Sequence, residues 1–210
     1  MPTRNVVRNF HNDCYYHVYN RGHNKEKLFI DDQDYNFFLS LLQRCFGPAP
    51  IKDPKGRELP WFGDMVSIHA YCLMRNHFHL LLYQGNSEDS VSKAMQSLGT
   101  TYSMYFNKKY SKRGTVFESV FKASPIYKDE YLQHITRYIH LNPTNSFKTY
   151  LYSSYRQYVG QTDSLWLMTE DILSLFDSKH QYIAFVNDYE DLMKELSDLK
   201  YELADYAESI

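Results

Sequence analysis

Hydrophobic and polar positions along this chain switch between a two-residue and an about 3.6-residue rhythm. Cys14-Tyr-Tyr-His-Val-Tyr-Asn-Arg-Gly22 alternates and is rich in aromatic side chains, which predicts a first strand ending at Gly22. Asp31 and Asp32 give the acidic start of a helix striped by Tyr35, Phe38, Leu39, Leu42 and Phe46, with Gly47-Pro48 as its stop. Prolines and glycines crowd residues 48–63 and predict a loop or flexible insertion. Met65 to Met74 reads as a second strand, Arg75-Asn76 as a turn, and the run through Leu82 as a third strand completing a hairpin. Ser87 is the expected cap of a second helix carrying Val91, Met95, Leu98, Tyr102 and Tyr105 on one side. Residues 116–124 predict a fourth strand ended by Pro125, and a third helix runs from about Asp129 to Leu141, closing at Asn142-Pro143. The order β-α-β-β-α-β-α predicts an α+β protein: a ferredoxin-like antiparallel sheet (β-α-β-β-α-β) with an added helix. Its helices would share one sheet face, leaving the other face or an edge to a ligand.

A second pattern occupies the end of the chain. Phe185, Tyr189, Leu192, Leu196, Leu199, Leu203, Tyr206 and Ile210 recur in steps of four and three, a period of about 3.5 residues. The expected division is therefore residues 1–145 as the main domain and 146–210 as an extension with a heptad-patterned acidic helix. That stripe fits either packing on its own domain or a parallel homodimer, in which Glu195 would face Lys200 of the partner.

Composition narrows the setting. No apolar run approaches the length needed to span a membrane, and the basic N-terminus has no secretory apolar core. Cys14, Cys45 and Cys72 lie far apart, which argues against a disulfide framework or thiolate zinc site and suits a reducing cytosol. The net charge of -2 hides a division. Residues 187–210 hold 8 acids and 2 lysines, leaving 17 acids against 21 bases in residues 1–186, a net of +4. In Tyr102-Ser-Met-Tyr-Phe-Asn-Lys-Lys-Tyr-Ser-Lys-Arg113 aromatic and basic residues interleave, as in surfaces that stack bases and track phosphates, although a solvated helix end has the same look. Arg75, Lys108, Lys109, Lys112, Arg113, Lys122 and Arg137 are the candidate phosphate contacts.

The candidate chemistry sits in two places. Strand alternation puts His77 and His79 on one face and Phe78 on the other, with Leu80-Leu81-Leu82 anchoring them in a core. Two imidazoles on a rigid strand are half of a metal site. On the third helix Leu132, Ile135 and Ile139 form the core stripe, while His134, Tyr138 and Asn142 fall four residues apart on an adjacent face. In isolation, Tyr138 also reads as a core-edge aromatic and Asn142 as a helix-ending turn residue.

The combination of Tyr16-His-Val-Tyr-Asn-Arg-Gly22, Met74-Arg-Asn-His-Phe-His-Leu-Leu-Leu82, Phe121-Lys-Ala123 and Arg137-Tyr-Ile-His-Leu-Asn-Pro143 resembles the single-tyrosine HUH transposases. It is most similar to the REP-associated tyrosine transposases, and Ser153-Ser-Tyr-Arg-Gln-Tyr-Val-Gly160 extends the resemblance. The resemblance implies a metal-dependent endonuclease and strand transferase acting on single-stranded or hairpin DNA. Tyr138 would be the nucleophile, forming a 5′-phosphotyrosine intermediate. His77 and His79 would hold a divalent ion, Mg²⁺ or Mn²⁺, with Asn142 as third ligand and His134 in reserve. It further implies a bacterial protein of the cytoplasm, associated with the nucleoid. A catalytically idle hairpin-binding protein, for DNA or RNA, is the alternative on the same fold. A barrel metallohydrolase would need further ligands on later strands, and this element order fits one poorly.

Overall fold

Alternation along four strands builds a sheet that is buried on both faces. The computed structural model describes residues 10–87 and 89–188. Its elements are β1 (Cys14–Arg21), α1 (Asp32–Phe46), β2 (Val66–Met74), β3 (His77–Gln84), α2 (Ser90–Lys109), β4 (Lys122–Ile126) and α3 (Asp129–Leu141). Three short helices follow: α4 (Tyr155–Tyr158), α5 (Glu170–Leu173) and α6 (Lys179–Asn187). The strand order is β2-β3-β1-β4 and every neighbouring pair is antiparallel, the split ferredoxin-like arrangement expected from the element order. No described helix is long and apolar enough to cross a membrane.

Local chemistry sets the element ends. Asp31 and Asp34 form a reciprocal capping box at the start of α1, as the acidic signals imply. α2 begins two residues later than the Ser87 cap predicts. Asp89 occupies its N-cap in the left-handed region, with no side-chain cap bond. β4 is shorter and later than the expected strand over 116–124, and it runs through Pro125. Pro125 is tolerated because β4 lies at the sheet edge, where a missing N–H breaks no second ladder. Upstream of β4 the regular ladder gives way to an isolated bridge, Gly22 to Phe117, with the Glu118 N–H donating to the Arg21 carbonyl at 2.9 Å.

Tyr16 and Val18 of β1 and Phe78, Leu80 and Leu82 of β3 face one core, closed by Phe38 and Leu42 of α1 and by Val91, Leu98 and Tyr102 of α2. The opposite face carries Ala70, Cys72 and Leu81, covered by Leu132, Ile135 and Ile139 of α3. Tyr155, Tyr158, Ile172, Tyr182 and Val186 complete this second core. Of the two expected openings, a free second face or a free edge, the face is thus largely covered. β2 and the middle of β3 are apolar on both sides, so each side must be covered. The residues after 146 provide part of that cover, stitched to β2 by Leu73 N–H to the Tyr152 carbonyl and Ser154 N–H to the Tyr71 carbonyl. The heptad stripe from Tyr189 onward lies outside the described residues; its first member, Phe185, is on α6.

Two buried histidines tie the second core together. His140 is hydrogen-bonded to the Tyr182 hydroxyl and, at 2.7 Å, to Ser154 Oγ. His69 is hydrogen-bonded to Ser67 Oγ at 2.8 Å. Burial pushes His140 down to about 3 and His69 down to about 4, against an ordinary 6.5. The unfolded chain therefore binds more protons than the folded one below pH 6.5, so stability present at pH 7 is lost as pH falls. The expected slope approaches about 1.4 kcal/mol per pH unit for each histidine. Urea unfolding at pH 7 and pH 5 checks this, and a flat profile would refute it.

Candidate active site

The pairing of β1 with β3 places Tyr19 opposite His79 and Arg21 opposite His77, on the face that receives α3. α3 lays the Tyr138 ring edge-on to His79, with centroids 5.3 Å apart. At the end of the same helix, Asn142 Oδ1 lies 3.3 Å from His77 Nε2. Residues distant in sequence thus meet at one cavity of about 360 Å³, bordered by Tyr19, Arg21, Lys25, His77, His79, Lys122 and Tyr138.

The proline after Asn142 shapes this corner. Pro143 has no N–H to continue α3. The Asn142 N–H bonds the Ile139 carbonyl instead of the Tyr138 carbonyl. The Tyr138 carbonyl then accepts from Asn142 Nδ2 at 3.0 Å. This bond spends the donor end of the amide and turns its oxygen toward His77.

The opposite nitrogen of His77 is also engaged. His77 Nδ1 lies 2.8 Å from Asn76 Oδ1 and must be the donor, because Asn76 directs its own Nδ2 to the Lys25 carbonyl. Burial pushes the His77 pKa down, with the Asn142 contact opposing, which favours the neutral ring. In that tautomer Nε2 carries a lone pair, and it faces the lone pairs of Asn142 Oδ1. Two acceptors directed at each other form an arrangement that a cation relieves.

β1 contributes a residue without an assigned role in the sequence motifs. His17 Nε2 lies 2.8 Å from His79 Nδ1 across the sheet. Burial pushes His17 down to about 3, so it is neutral near pH 7. This contact fixes the orientation of the His79 ring through a neighbour, an arrangement also common in histidine metal sites. The signal was the alternation of β1 itself, which sets His17 and Tyr19 on one face, but its meaning depends on how β1 pairs. Burial also pushes the Tyr138 phenol pKa up, and its hydrogen bond with Asn142 opposes the shift.

Other expected residues fall elsewhere. His134 Nδ1 lies 2.9 Å from Arg137 Nη2, and its ring packs on Phe185 of α6. Arg137 is buried, donates to the Phe185 carbonyl at 3.2 Å and stacks its guanidinium 4.0 Å from the Phe185 ring. The expected reserve ligand and phosphate contact are therefore turned toward α6: Arg137 points about 100° round the helix from Tyr138, and His134, one turn before Tyr138 on its face, is engaged by Arg137 and Phe185. Lys109 pairs with Asp31 and Asp34, and Lys112 with Glu26. Arg75, Lys108 and Arg113 are exposed away from the cavity lining. Of the seven candidate bases, Lys122 borders the cavity, with its ammonium 5.9 Å from the Tyr19 ring centroid. Arg21 and Lys25, which were not singled out from sequence, border it as well, and Arg21 pairs with Glu118 at 2.7 Å. Among the described residues, no three His, Cys, Asp or Glu side chains gather into a metal-binding group. The candidate donors that meet at this corner are two imidazoles and an amide.

Residues 63–142 match the family model described as "Transposase IS200 like", a span that contains His77, His79, Tyr138 and Asn142. A solved REP-associated tyrosine transposase, described as bound to a REP hairpin, has the same fold. It is 12% identical, with a TM-score of 0.55, and the match covers 80% of this chain and 98% of that one. A candidate transposase of Deinococcus radiodurans matches at 15% identity with a TM-score of 0.40, over 66% of this chain and 95% of that one. No curated protein matches the chain in sequence. The resemblance to the tyrosine transposases read from the motifs is thus found again in a family model and in the fold.

The placement of Arg137 predicts a structural effect. Arg137→Ala should lower the unfolding free energy by about 2–4 kcal/mol, the combined scale of a desolvated cation–π contact and a charged hydrogen bond. The salt dependence of DNA binding, measured by fluorescence anisotropy, should stay unchanged. A reduced salt slope with unaltered stability would return Arg137 to the phosphate contacts.

Proposed function

We propose that this chain is a transposase-like enzyme that cuts and rejoins single-stranded DNA. Tyr138 is the nucleophile, and a divalent cation, Mg²⁺ or Mn²⁺, is bound by His77, His79 and Asn142. The observation that carries this reading is the meeting of His77 Nε2 and Asn142 Oδ1, 3.3 Å apart, with the His79 and Tyr138 rings in contact beside them. When bound, the cation would supply charge neutralisation at a phosphate oxygen.

The remaining work falls to the chain. Lys122, Lys25 and Arg21 give the cavity a cationic border for the DNA backbone. α3 holds the Tyr138 oxygen at the cavity, which replaces a chance encounter by a positioned one. The tyrosine oxygen forms a bond to phosphorus and loses its proton. The bond from phosphorus to the 3′ oxygen breaks, and that oxygen takes up a proton as a free hydroxyl. The product is a 5′-phosphotyrosine, which retains the phosphodiester energy. Attack by a 3′-hydroxyl reverses the step without ATP. The hairpin bound by the solved relative supports a DNA hairpin beside the cleavage site as the recognised feature.

Tyr138→Phe should bind a hairpin oligonucleotide as the unaltered protein does but give no covalent band on a denaturing gel with Mn²⁺. If the unaltered protein binds and also gives no band, the chain is a hairpin-binding protein that does not cleave. His17→Ala should weaken Mn²⁺ binding about 10–100-fold by removing the partner of His79. Isothermal titration of the DNA-free protein measures this, and unchanged affinity would remove His17 from the site.

A further inference from the structure

A second cavity, of about 460 Å³, lies against the other face of the same strand ends. It is lined by Asn20, Phe78, Met95, Gly99, Phe117 and Phe121, with Gln96 at its rim. Asn20 pairs with Phe78 in the β1–β3 register, one step beyond Tyr19 and His79, so the two cavities occupy opposite faces at one end of the sheet. The strip 117–122 divides them. Glu118 and Lys122 border the candidate active site, while Phe117 and Phe121 border the second cavity. Asn20 borders both and fastens the strip to β1, donating from Nδ2 to the Ser119 carbonyl at 3.0 Å.

Gly99 is the telling residue. It stands in the interior of a 20-residue helix, where glycine costs about 0.5–1 kcal/mol relative to alanine. Nothing local requires it, since an added Cβ would meet only Phe117 Cε2, at an ordinary 3.9 Å. The missing side chain leaves α2 flat where it walls the cavity. The half-buried rings of Phe117 and Phe121 supply apolar surface, Val120 is 68% exposed at the rim, and Gln96 adds an amide.

We infer that this cavity receives one unstacked base of the DNA strand whose backbone crosses the candidate active site. The inference rests on the proposed action on single-stranded DNA. A base has apolar faces and a hydrogen-bonding edge, which match aromatic walls and an amide rim. A strand running along Lys122 needs only to pass the dividing strip to deliver a base within a few nucleotides of the cleaved phosphate. The cavity thereby selects which phosphate reaches Tyr138.

The test uses the full chain and a hairpin oligonucleotide with single-stranded flanks taken from the DNA beside its gene. Abasic sites are placed one at a time along the flanks, and binding is read by fluorescence anisotropy without divalent metal. One abasic position should weaken binding by the unaltered protein about tenfold. Gly99→Met, which fills the cavity, should weaken binding of the intact strand to a similar extent and lose nothing more at that abasic position. Gly99→Ala should bind normally and melt at a higher temperature. If Gly99→Met fails to fold, Phe121→Leu takes its place, with the same coupled position expected. Binding with penalties that multiply at every position overturns the base pocket alone. Failure of the unaltered protein to bind any of these strands overturns both the pocket and the proposed function.

Discussion

The register between β1 and β3 is the constraint on which the rest depends. Tyr19 meets His79 and Asn20 meets Phe78, so each strand presents a polar, chemistry-bearing side to α3 and an apolar side to α1 and α2. A slip of one residue would exchange those sides, carrying the histidines into the core and Phe78 into the cavity. Burial of both faces makes such a slip costly. The same pairing that stabilises the fold therefore aims the imidazoles, and the hydrogen bond between His17 and His79 is one of its products.

Much of this was legible in local patterns. Period-two alternation sets His77 and His79 on one side, and four-residue spacing sets Tyr138 and Asn142 on one helical face. The order of strands and helices pointed to the split antiparallel sheet. Other features depend on pairing or on direction around a helix. His17 acquires its meaning from a residue 62 positions away. The engagement of Lys109 with Asp31 and Asp34 joins two helices that no motif connects. Arg137 sits beside the tyrosine in sequence, yet about 100° of helical rotation turns it away from the cavity and toward α6.

Pro143 has a comparable effect at short range. A proline after a candidate ligand suggests a simple stop, but the loss of its N–H rearranges the last turn of α3. The displaced carbonyl of Tyr138 captures the Asn142 amide, and the amide oxygen is left toward His77. The position that ends the helix also orients the donor at its tip.

Arg137 gives α3 a rotational stop. Its guanidinium is held between Phe185 and His134 on one side while Tyr138 reaches the cavity on the next direction round the axis. Rolling the helix enough to withdraw the phenol would drag a buried cation off its aromatic seat. The azimuth of the tyrosine is thereby fixed by its neighbour in sequence, and the precision of a side chain at the cavity is borrowed from one buried against another helix.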